Sequence, residues 1–143
     1  MKKLIWATIP LLIVLSIGTA SADEPSEMVK AFFKTVQDGN ISDAYDNLFK
    51  GSPLPAMKPQ ALDLLKRQTS TYLPMYGTLL GVEPLRKETI GTAIMRIVYI
   101  MKLEKNAVVW EFFFYKPRDS WYLANINLND EFRSMHRLEQ SAQ

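Results

Sequence analysis

The apolar residues of this 143-residue chain change their spacing once, and that change limits what it can fold into. Between Met28 and Tyr72 they recur every three or four positions, the period of helix faces laid on a core. From residue 78 to residue 129 the pattern is that of strands, rich in β-branched and aromatic residues. Pro74 and Gly77 stand at the change. Helices followed by consecutive strands predict an α+β domain, with the helices packed on one face of a curved antiparallel sheet.

The elements can be placed more closely. Asp23 is positioned to cap a first helix and Pro25 is tolerated in its first turn; Met28, Val29, Phe32, Phe33 and Val36 form its apolar stripe, and Gly39 stops it. Asn40 can cap a short second helix that buries Ile41, Ala44, Tyr45, Leu48 and Phe49. Asn40-Ile41-Ser42 also matches a glycosylation acceptor, but capping explains Asn40 as well. Prolines 53, 55 and 59 break the chain into a loop, and a third helix is expected over 59–73. Strands are expected over 78–87, 92–103, 107–116 and 121–129, with Pro84 marking a sheet edge or a bulge. A short terminal helix over 130–140 would align Phe132, Met135 and Leu138.

Residues 1–22 read as a secretory leader. Lys2 and Lys3 precede an uncharged apolar stretch, and Ala20-Ser21-Ala22 is a cleavage site. An uncleaved anchor is the rival reading, but the stretch ends in small residues followed by Asp23 and Glu24. Cleavage after Ala22 implies a periplasmic or secreted domain of residues 23–143, touching the membrane only transiently through the leader. Two of the 17 lysines and arginines leave with it, so the remainder balances the 15 acids and gives no support for nucleic-acid binding. The chain has no cysteine, which removes disulfides, a thiol nucleophile and a lipidated cysteine together. With His136 as the single histidine, a zinc site built on His or Cys has no material, and no metal or other cofactor is expected.

Two stretches carry a family resemblance. One runs from Met28 to Phe49, where two helices meet at Asp38-Gly39-Asn40; in the other, Trp110-Glu111-Phe112-Phe113-Phe114-Tyr115 passes through a Pro-Arg-Asp turn to Trp121-Tyr122-Leu123. In order and pattern the chain resembles the nuclear transport factor 2-like superfamily, the α+β cone, and its small exported bacterial members. The resemblance implies a concave sheet face enclosing a pocket and a homodimer formed through the sheet. It implies no function, because this fold serves enzymes and binding modules alike.

Strand alternation sorts side chains into two faces. If Glu104 pairs with Ala107 and Lys116 with Trp121, one face carries Tyr99, Trp110, Asn125 and Asn127 among apolar residues. These four, with Tyr45 and Tyr72 from the helices, are the candidate ligand contacts: polar groups in an apolar concavity suit a small apolar or amphipathic molecule. The asparagines could equally bond helix ends or water. The other face carries Val98, Ile100, Phe113, Tyr115, Tyr122 and Ile126, too apolar for water, and is the candidate dimer interface unless the terminal helix covers it.

Catalytic residues are not assigned. Related enzymes such as ketosteroid isomerase and scytalone dehydratase use a pocket acid, with tyrosine or histidine partners, and the concave list has no Asp, Glu or His. Nor does the sequence hold G-x-S-x-G, H-E-x-x-H or a glycine-rich phosphate loop. The reading is therefore an exported non-enzymatic domain that binds a small molecule or an envelope protein. An isomerase- or lyase-like enzyme would need Asp46 or Asp63 turned inward beside a tyrosine.

Overall fold

The structure is a computed structural model and describes residues 24–131. Four helices come first: α1 (Pro25–Gln37), α2 (Ile41–Leu48), the single turn α3 (Leu54–Met57) and α4 (Pro59–Tyr76). Four strands follow: β1 (Leu79–Ile90), β2 (Ile94–Leu103), β3 (Ala107–Tyr115) and β4 (Tyr122–Asn129). They form one antiparallel meander in the order β1-β2-β3-β4, so the chain adopts the α+β class. The expected leader, Asp23 and the expected terminal helix beyond residue 131 lie outside the described residues.

Helix α1 buries the stripe its spacing requires: Val29, Phe32, Phe33 and Val36 are almost fully covered. It stops at Gly39, whose φ of +84° is costly for any residue with a Cβ. The N–H of Gly39 bonds the carbonyl of Val36, and that of Asn40 bonds Thr35, the paired bonds of a Schellman cap. Asn40 occupies the α2 N-cap position, but its side chain makes no capping bond.

Helix α4 runs three residues past its expected end. Pro74 lacks an N–H, yet the last turn closes because Gly77 N–H bonds the Leu73 carbonyl. The β2–β3 connection then holds the helix end in place. Lys105 N–H bonds the Tyr76 carbonyl, Glu104 N–H bonds the Thr78 carbonyl, and Glu104 Oε2 accepts from Thr78 N–H at 3.0 Å.

Those bonds explain a register difference. Glu104 does not face Ala107; Lys102 does, because the turn is centred on Glu104-Lys105, one residue earlier than expected, and is closed by Leu103 N–H on the Asn106 carbonyl. The slip is two residues, so the faces of β2 and β3 are unchanged. On β4 the outcome differs. Tyr122 and Leu123 pair with Tyr115 and Phe114 in the expected register, then a bulge at Ala124 shifts the pairing so that Asn125 faces Phe113. One extra residue inverts every side chain beyond it. Strand β1 carries two further irregularities, around Leu80 and Leu85, the second beside Pro84 at the sheet edge.

Candidate functional site

The concave face of the sheet meets α1 and α2 over a core dominated by rings. Phe32 lies between Tyr45 and Trp110, with ring centroids 5.1 and 5.3 Å away. Phe33 lies between Tyr99 and Trp110, at 5.1 and 5.6 Å. Trp110 in turn stacks on Phe112 at 6.0 Å. These are contact distances for aromatic pairs. The centre of the cone is therefore filled by two adjacent phenylalanines of α1.

The candidate ligand contacts separate accordingly. Tyr45, Tyr99 and Trp110 do point into the cone, where they pack against Phe32 and Phe33. The Tyr45 hydroxyl donates to Thr69 Oγ1 at 2.7 Å, because the Thr69 hydroxyl proton goes to the Leu65 carbonyl at 3.0 Å. Burial, opposed by this bond, pushes the Tyr45 phenol well above its usual range. Tyr72 is elsewhere, half-buried at the end of α4 and stacked on Tyr76 at 5.8 Å. The Tyr76 hydroxyl donates to Asp130 Oδ2, which raises its ionisation above the ordinary phenol value.

Asn125 and Asn127 do not face the cone. The bulge at Ala124 turns both to the outer face, where they are exposed, and brings Ile126 inward instead, 6% exposed. Asn125 Oδ1 accepts the N–H of Ile126 at 2.9 Å, so its carbonyl oxygen serves the backbone of an edge strand. Ile126 is thereby removed from the outer-face set. Nothing in a run of Ala-Asn-Ile-Asn announces a bulge, which is why simple alternation misplaced all three.

The remaining outer-face residues stay where alternation put them, in varied environments. Val98 is completely buried within one chain, between Arg86 and Glu111 in register. Ile100, Phe113 and Tyr122 are half-buried and Tyr115 is 38% exposed. Ile90, Ile94, Tyr115 and Tyr122 pair in one row across all four strands, and the two isoleucines were missed because the sorted stretch began at Met95. Beside this row Arg96 bridges Glu88 and Glu111 and lies over the Phe113 ring, its guanidinium carbon 5.9 Å from the centroid. Thr69 and Arg96 are the buried polar or charged side chains among the described residues.

The sequence matches no protein-family model and no curated protein. A crystal structure described as an NTF2-like transpeptidase from Campylobacter jejuni superposes with a TM-score of 0.52. The superposition covers 71% of this chain and 97% of that one, at 14% sequence identity. The chain has an NTF2-like fold. At this identity the likeness is one of fold, and the neighbour's transpeptidase description stays with the neighbour.

Two grooves formed by described residues lie at the periphery of the cone. A groove of about 400 Å³ runs between α3, α4 and β4, lined by Phe49, Leu54, Leu62, Leu65 and Ile126 with Lys58 and Asn125. Another, of about 380 Å³, lies between α1 and α2 and includes Trp121. Among the described residues no group of three or more His, Cys, Asp or Glu is placed to hold a metal. No described helix is long and apolar enough to cross a membrane.

Proposed function

We propose that residues 23–143, released from their leader after Ala22, act in the periplasm or outside the cell as a non-catalytic interaction domain. On this reading the domain self-associates through the outer face of its sheet. The observation that carries it is the filled cone. Phe32 and Phe33 occupy the space where a nuclear transport factor 2-like enzyme would take substrate, so recognition falls to outer surfaces. Of the two acids an isomerase-like reading could use, Asp46 is held by Lys66 at 2.8 Å on the helix exterior and Asp63 is exposed on α4.

The outer face supplies what an interface needs. Its aromatic and aliphatic row is accessible, and beside it Arg96 is already held by Glu88 and Glu111 within the chain, so covering this face leaves no unpaired guanidinium. Analytical ultracentrifugation of residues 23–143 tests the reading. A dimer is expected, converted to monomer by Ile94→Lys with Tyr115→Lys while the urea midpoint changes little. A monomer across the concentration range, or a dimer indifferent to those substitutions, contradicts it.

A further inference from the structure

We propose that the groove between α3, α4 and β4 binds the chain of a single-chain acyl carboxylate, with Lys58 receiving its carboxylate. Its volume of about 400 Å³ lies within the range of small-molecule sites. Apart from Lys58 and Asn125 every lining side chain is apolar, and no acid lines it. Leu64, which lines the groove, is half exposed, and Met57 at the end of α3 is 69% exposed.

The groove is built by local chemistry. Ser52 Oγ donates to the Leu123 carbonyl at 2.7 Å and accepts from Leu54 N–H, which fixes the start of α3 against β4 just before the bulge. The bulge then turns Ile126 into the floor and leaves Asn125 on the rim. Because Asn125 Oδ1 already accepts a backbone N–H, its amide nitrogen is the group left to face a ligand, and it is a donor. Lys58 has no ion pair among the described residues, in contrast to Lys30, Lys66, Lys87 and Lys102, each held by an acid. One cation, one amide donor and apolar walls complement an anionic head on an alkyl chain. They do not complement a cationic head.

The inference is independent of self-association, and sedimentation of the same samples keeps the two apart. The experiment is isothermal titration of residues 23–143 with dodecanoate and with dodecyltrimethylammonium, below the micellar range, together with amide NMR mapping. Dodecanoate is expected to bind once per chain and to shift Leu62, Leu65 and Ile126, with the cationic surfactant weaker. Lys58→Glu should weaken dodecanoate about tenfold, about 1.4 kcal/mol. Leu64→Lys, at an exposed position that folding tolerates, should displace the shifts from α4. Absence of binding, equal binding of both surfactants, or indifference to Lys58→Glu overturns the proposal. So does binding seen only when the chain is shortened to end at Glu131, because the occupant is then the protein's own C-terminal segment.

Discussion

Tyr45 and Gly77 show how much of this fold rests on single residues. Tyr45 is buried with its hydroxyl on Thr69, and its phenol ionises well above the ordinary range because the charged form has no water. An unfolded chain loses that proton near pH 10 while the folded chain keeps it, so folded stability is complete below pH 10 and falls as the pH rises above it. Tyr45→Phe removes this alkaline loss and costs about 1 kcal/mol at pH 7 for the missing hydrogen bond. Urea unfolding from pH 7 to 11 measures both effects. Gly77 ends α4 at φ +87°, and a Cβ there would stand 2.6 Å from Glu104 Oε2, the atom that accepts from Thr78 N–H. Gly77→Ala should destabilise by about 1–3 kcal/mol, read from the urea midpoint. A change under a few tenths would show that this junction is not constrained as described.

At the level of elements, spacing was a good guide wherever one period ran unbroken. Helix α1 and the inward set Met95, Ile97, Tyr99, Trp110, Phe112 and Phe114 could be read from the sequence, whereas the turn joining β2 and β3 sits one residue earlier than expected. The exceptions each have a local cause. Helix α4 outruns Pro74 because the β2–β3 connection supplies partners to its last turn, a tertiary contact invisible to propensity. The end of β4 inverts because Ala124 is an unpaired extra residue, and a bulge needs no distinctive side chain. This second case put Asn125 and Asn127 on the opposite sheet face from the one alternation gives, so the candidate residues of β4 were less legible than the fold. The register is testable by comparing neighbours. Ile126→Ala should cost about 2–5 kcal/mol as a buried aliphatic truncation, and Asn125→Ala about 1 kcal/mol. Equilibrium denaturation giving the opposite order would restore the unbulged strand.

The whole molecule is held by its core. A domain without cysteine has no disulfide to restrict its unfolded state, so stability rests on the aromatic packing between α1, α2 and the sheet. On the proposed function that packing also sets where binding takes place. On the same reading a cone packed with Phe32 and Phe33 uses its exterior, where the row of Ile94 and Tyr115 and the groove beside Lys58 are accessible apolar features among the described residues. The filled cone itself is the central claim. Its most direct test is the unfolding free energy of Phe33→Ala by urea titration. A residue that fills a closed core leaves a cavity when truncated, and the expected loss is about 3–5 kcal/mol. If the cone were an open pocket, Phe33 would be part of its wall, water or ligand would replace the ring, and a loss below about 1 kcal/mol would contradict the account.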